Sequence, residues 1–172
     1  RFGKLEIFKP IIFAVNGPCI GGALGLLSAL TDITVAAEEA KFGTVGITHA
    51  IGGAGGAELV RRLPWAIAMD MLLRGKIISA EEAYRVGFVN EIVSHDELIP
   101  AATAIAEEIA ANPPLHVQSV KHMAISSREL SPASLAWQGT ILSAVLQSVP
   151  DSREGPKAFM EKRKAIYTGK VD

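Results

Sequence analysis

An α/β fold with parallel strands is what this sequence predicts, and three observations carry that prediction. Two short apolar runs, Ile11 to Val15 and Ile33 to Ala36, show no polar alternation, the pattern of parallel strands covered on both faces. Glycines rather than charges separate the first run from the segment that follows it, where Gly21-Gly22 opens a helical stretch to about Leu30. Beyond Glu58 the punctuation is helical. Ser79-x-x-Glu82 and Ser94-x-x-Glu97 have capping-box form, Ser131-Pro132 offers an N-cap with Pro at the first helical position, and Asp151-x-x-Glu154 is similar.

Taken in order, Ile11 to Val15 is the first strand, and Asn16-Gly17-Pro18 is a turn signal. The helix from Gly21-Gly22 and the strand Ile33 to Ala36 complete a βαβ unit, right-handed by the general rule. After Phe42-Gly43 comes an uncharged loop, Thr44 to Ala57, in which five of fourteen residues are glycine. A solvated loop of that length would carry charge, so packing against something is expected. Phe88 to Val93 reads as a strand closing the α/β part, which gives expected domains of 1–93, an α/β core, and 94–172, a helical region. Leu98, Ile99, Ala102, Ile105, Ala106 and Ile109 follow helical spacing with one apolar stripe. The helix from Pro132 to Val149 is apolar on more than one side; a subunit contact and burial beneath the next helix both account for that breadth.

Composition removes several function classes. The chain has 172 residues, 49% apolar, with 17 basic and 18 acidic residues and a net charge of −1, so disorder is excluded as the main state. No basic stripe is present to neutralise phosphates, and the longest cluster, Glu161 to Lys164, is short and mixed in sign, so no nucleic-acid partner is expected. The single Cys19 excludes a disulfide framework and fits a reducing compartment, hence an expected cytoplasmic location. Pro10 to Thr31 is uncharged and long enough to suggest a membrane span, but Asn16-Gly17-Pro18 splits it into a strand and a helix. His95, His116 and His122 show no metal-ligand spacing, and no metal is expected. The chain opens on Arg1-Phe2-Gly3 without Met, as though cut from something longer.

The glycine segment from Asn16 to Gly25 sits between a strand and a helix, where free backbone N–H groups and the positive end of the helix dipole point outward. Such a place binds an anion, or a carbonyl oxygen that gains charge in a transition state. Neither the dinucleotide-binding spacing nor the phosphate-loop Gly-Lys-Ser/Thr is present, so phosphate recedes. The competing reading is that Gly21, Gly22 and Gly25 only let the helix approach the sheet closely.

The second glycine segment, Lys41 to Gly56, adds the decisive pattern. Ala14-Val15-Asn16-Gly17, the Gly-Gly helix start, Asp32-Ile33, Ala40-Lys41-Phe42-Gly43 and Gly52-Gly53-Ala54-Gly55-Gly56 opening a further helix together resemble the crotonase superfamily, the enoyl-CoA hydratase and isomerase family. Gly75 to Asn90 is similar to that family's helix-strand hallmark, and Glu154 to Lys164 to its C-terminal signature. The resemblance runs from about Pro10 to Gly169. It implies a spiral of ββα units with a C-terminal helical trimerisation region. It also implies an acyl-CoA thioester as substrate, with coenzyme A as part of that substrate and no separate cofactor, and a homotrimer or dimer of trimers. The thioester carbonyl would be polarised by two backbone N–H groups, the second of which maps onto Gly22. The resemblance assigns the first to a segment preceding these residues, so the chain is expected to be the C-terminal two-thirds of a family member or a truncated homologue.

Hydratases of the family flank the double bond with two carboxylates, because adding water needs a paired acid and base. The corresponding positions here are Gly25 and Gly46. Phe42-Gly43-Thr44-Val45-Gly46 is similar instead to the naphthoyl-CoA synthase and ring-cleaving hydrolase branches, whose further acid would fall at Gly53 or Ala54. His49, three residues past Gly46, is either a general base near neutral pH or a hydrogen-bonded structural residue. Cys19 is a nucleophile only with a base beside it, and otherwise a small buried residue. Thr44 and Thr48 line the loop, and Glu58 at the next helix start either faces the pocket or answers the helix dipole. Lys157, Lys162, Arg163 and Lys164 with Phe159 are either a solvated face or, as the resemblance implies, a hold on the CoA phosphates and adenine. The expected site is thus Gly22, Gly46 and His49 for chemistry, with Cys19, Ile20, Gly21, Gly25, Thr44, Thr48, Phe159 and Lys162 around the substrate. Two functions are open: thioester enolate chemistry as hydratase, isomerase or C–C hydrolase, and a non-catalytic CoA-binding or structural homologue.

Overall fold

The computed structural model describes residues 7–51 and 56–171. Strand β1 (Ile12–Val15) is followed by β2 (Pro18–Ile20) and helix α1 (Gly22–Leu30). Then come β3 (Ile33–Ala37), β4 (Lys41–Gly43), a 3-10 turn at Ile47–His49, a second at Ala57–Arg61, and α2 (Trp65–Arg74). Each pass thus runs strand, strand, helix. The expected strand Ile11 to Val15 and the helix to Leu30 are found; β2 is the addition. Pro18 reads as a turn in sequence, yet it is the first residue of a strand, where its missing N–H costs no ladder bond.

Two three-stranded sheets result. The first has the order β1-β3-β6, all parallel, with Ile12 opposite Ile33 and Val35 opposite Glu91, where β6 is Glu91–Val93. In the second, β2 runs parallel to β4, and β4 runs antiparallel to β5 (Ile77–Ser79). The first four strands alternate between the sheets, and in the second sheet Ile20 is paired with Gly43. Phe88 and Val89, expected in the last strand, form a buried turn instead. Asn90 then joins the chain to β3, its side-chain oxygen accepting from the Thr34 amide and its own amide donating to the Thr34 carbonyl.

The described chain divides into two units, residues 11–104 and residues 7–10 with 105–171. The core of the first gathers Leu24, Leu27, Phe42, Leu59, Met71 and Ile78, all at most 1% exposed. Ser79 caps α3 (Ala80–Arg85) by accepting from the Glu82 amide, as its spacing predicts. Ser94 precedes only a 3-10 turn, and its hydroxyl donates to the Glu97 carboxylate.

Helix α4 (Leu98–Ala110) leads into the second unit, which holds α5 (Pro114–Ser126), α6 (Pro132–Ser148) and α7 (Asp151–Met160). Ser131 caps α6 as expected. Gly139 of α6 lies against Met123 of α5, while Trp137, Ile141 and Val145, spaced by four, stay exposed. That stripe is not buried beneath a neighbouring helix of its unit. Asp151 does not cap α7; its buried carboxylate accepts from the Thr168 and Gly169 amides, which pin the chain end and hold its pKa below the usual carboxylate range. Among the described residues no helix is long and apolar enough to cross a membrane.

Candidate functional site

The start of α1 is built by one residue that only glycine suits. Gly21 has φ +61, and its N–H donates to the Gly43 carbonyl at 2.9 Å, so the chain turns off β2 and is tied to the end of β4. Gly22 is then the first helical residue, and its N–H belongs to the first turn, which has no intrahelical acceptor. No side chain caps α1 and no acidic residue lies in its first turn, so the positive end of the helix is uncompensated from within. Gly22 is exposed. A Cβ at Gly21, Gly22 or Gly25 would meet no atom within 4 Å, which removes close helix-sheet packing as the reason for these glycines.

The neighbouring loop is different. Thr44 Oγ1 donates to the Met71 carbonyl at 2.7 Å and fastens the loop to α2. The Gly46 carbonyl then accepts from the Ile51 amide at 2.9 Å and the His49 amide at 3.2 Å, closing a tight turn. A Cβ at Gly46 would stand 2.6 Å from the Ile51 carbonyl oxygen, so no side chain fits in this turn, a carboxylate included. The expected packing holds for Thr44 to Gly46, whereas the tip from Ile47 to Ile51 is exposed. Gly53 and Ala54 lie outside the described residues.

His49 projects from this tip. Its Nδ1 lies 3.0 Å from the Val45 carbonyl and 2.9 Å from Thr48 Oγ1, and Thr48 Oγ1 itself donates to Val45 at 2.8 Å. Both threonine hydroxyl protons in the loop are therefore spent on backbone carbonyls. Cys19 is 7% exposed, and burial pushes its thiol up to about 11, so it holds no thiolate near neutral pH. Ile20 is half-buried and contacts the Gly43 position. Glu58 pairs with Arg61 at 3.8 Å.

Phe159 and Lys162 belong to the second unit, where Phe159 is 85% exposed and Lys162 has φ 53. Arg163 leaves the basic cluster, because its guanidinium is held by the Glu154 and Glu161 carboxylates. The same contact holds the Glu154 pKa down to about 2. Among the described residues no group of His, Cys, Asp or Glu could hold a metal ion. The sequence pattern singled out side chains and so passed over two backbone carbonyls, Gly43 and Val45, that fix Gly21 and His49. Only the glycine that ends strand β4 points to either of them.

A model of the enoyl-CoA hydratase/isomerase family matches residues 5–170. The (E)-benzylidenesuccinyl-CoA hydratase of Thauera aromatica is 38% identical over 96% of the chain and 65% of its own length. The carnitinyl-CoA dehydratase of Salmonella paratyphi A is 37% identical over 98% of the chain and 67% of its own length. The solved enoyl-CoA hydratase of Mycobacterium tuberculosis H37Rv superposes with a TM-score of 0.92 at 34% identity, covering 98% of the chain and 67% of that structure. The chain thus spans about two-thirds of the length of these relatives. The ββα order, the open helix start beside Gly43 and a match along nearly every residue together make this chain a member of the enoyl-CoA hydratase/isomerase family.

Proposed function

We propose that the protein processes an acyl-CoA thioester, adding water to or removing it from an enoyl group, with the Gly22 N–H stabilising the enolate oxygen. The observation that supports this most is the uncapped N-terminus of α1, held in place by the Gly21 to Gly43 hydrogen bond and open to solvent at Gly22. An N–H fixed in advance at a site of developing charge stabilises a transition state more than a ground state. Water adds at the β-carbon as His49 Nε2 accepts its proton; the double-bond electrons move toward the carbonyl oxygen, and they return as the α-carbon takes that proton back from His49, which regenerates the neutral ring. The relatives named above are a hydratase and a dehydratase, which agrees with this reaction class. Cys19, Ile20, Gly21, Gly25, Thr44 and Thr48 surround the acyl group in this reading, Phe159 and Lys162 meet the CoA moiety bound by a neighbouring copy, and no separate cofactor takes part. The exposed stripe Trp137, Ile141 and Val145 is where copies meet in a trimer or dimer of trimers.

A second reading is favoured by the missing carboxylates: Gly25 carries none and the Gly46 turn admits none, as in a homologue that binds CoA without turnover. Two measurements on the intact protein separate the readings. Loss of the conjugated enoyl absorbance of crotonyl-CoA reports turnover, and the carbonyl carbon resonance of labelled butyryl-CoA reports polarisation. Gly22→Pro deletes one N–H at the helix position that tolerates proline best, and is expected to weaken both signals. Binding without turnover across enoyl-, β-ketoacyl- and aryl-CoA thioesters would favour the second reading. A carbonyl resonance unmoved by Gly22→Pro would end the role of Gly22.

A further inference from the structure

We propose that Thr48 is a positioning residue that holds His49 as its Nδ1–H tautomer, so that the lone pair of the ring is presented to solvent at Nε2. The inference rests on the reading of His49 as the acid-base group, and it adds what sets that group's chemistry. Two contacts require the same tautomer. The Val45 carbonyl, 3.0 Å from Nδ1, has no proton to give and only accepts. Thr48 Oγ1, 2.9 Å from Nδ1, has committed its proton to Val45 at 2.8 Å, so toward the ring it too only accepts. In the neutral ring the Nδ1 proton is shared between them and Nε2 carries the lone pair.

The loop supports this arrangement from both sides. Gly46 closes the turn by accepting from the His49 and Ile51 amides, and Ala50, in the left-handed region at φ 52, ends the 3-10 segment directly after His49. The Thr48 methyl carbon lies 2.8 Å from where a Cβ would stand on Gly75, so hydroxyl and methyl of one side chain have separate tasks. The hydroxyl orients the imidazole and the methyl seats the loop on the end of α2.

Those tasks can be separated by substitution. Thr48→Val keeps a methyl toward Gly75 and removes the hydroxyl, whereas Thr48→Ser keeps the hydroxyl and removes the methyl. In the intact protein with nitrogen-labelled histidine, and with the His49 resonances identified by their loss in His49→Gln, the neutral ring is expected to be protonated at Nδ1. Thr48→Val is expected to mix the tautomers and lower kcat several-fold, and Thr48→Ser to restore the Nδ1–H tautomer and kcat. A wild-type ring protonated at Nε2, or a Thr48→Val spectrum identical to wild type, would overturn the proposal. An Nδ1–H ring combined with full turnover in His49→Ala would instead overturn His49 as the base, and the role of Thr48 in the reaction with it.

Discussion

Glycines occur at the start of α1 and in the loop after β4, and the two sets do opposite work. At Gly22 and Gly25 an added Cβ meets nothing within 4 Å, so the helix there makes room for something outside the chain's own packing. At Gly46 the same atom collides with a backbone carbonyl at 2.6 Å, so the glycine is demanded by the turn itself. A helical glycine costs about 0.5–1 kcal/mol relative to alanine, and α1 bears that cost without a packing return. Glycine spacing in a sequence reports that side chains are missing. Only the surroundings report whether the space is filled.

The comparison is tested most strongly at Gly22. If the open N–H acts on the thioester, Gly22→Pro lowers kcat by about 10²–10³-fold, the usual effect of one lost oxyanion donor, while the thermal midpoint moves little. Gly46→Ala attacks the packed glycine instead. It is expected to destabilise by about 1–3 kcal/mol in urea titrations, because a backbone carbonyl must shift, and to displace His49 with it. A variant as stable as wild type would show that the turn can relax.

Cys19, between the two regions on β2, reports whether the site's base is tightly packed. Its thiol is pushed up to about 11 by burial, so thiol reagents near pH 8 should label it only upon unfolding. Because its folded pKa is raised, the stability it contributes is complete below the unfolded value and declines as pH rises from about 9 toward 11; a urea midpoint flat over that window would contradict this. The smallest effect is expected at Gly25→Ala, a gain of about 0.5–1 kcal/mol from helix propensity alone. A loss there would mean that Gly25 is packed after all, and the contrast with Gly46 would collapse.

Much of the architecture was legible in the residues. The run at Ile33 to Ala36 is uncharged because β3 is the buried centre of its sheet, and that burial leaves its mark in composition, whereas the run at Ile11 to Val15 forms an edge strand that is half-buried up to Ala14. Ser79 and Ser131 cap helices where their spacing says they should, since a cap is a local contact within three residues. Strand β2 was hidden, because three residues led by proline hold no periodicity and become a strand only by pairing with Lys41 to Gly43. Asp151 was misread for a related reason: its partners, Thr168 and Gly169, are distant in sequence, and pattern reading weighs near neighbours first.

For the site, the sequence by itself determined which residue types are present: two glycines at positions where the family resemblance implies carboxylates, one histidine in an uncharged loop, and a glycine pair that opens a helix. These are facts of the sequence, and the family itself is shown by the match along residues 5–170. Tertiary structure decided what each residue is free to do. It spent the hydroxyl protons of Thr44 and Thr48 on Met71 and Val45, set the His49 ring against the Val45 carbonyl and the Thr48 hydroxyl, buried Cys19 out of reactivity, and left Gly22 open. The reason is that a donor, an acceptor or a cavity exists only relative to neighbours, and the carbonyls of Gly43 and Val45 carry no sequence signature of their own.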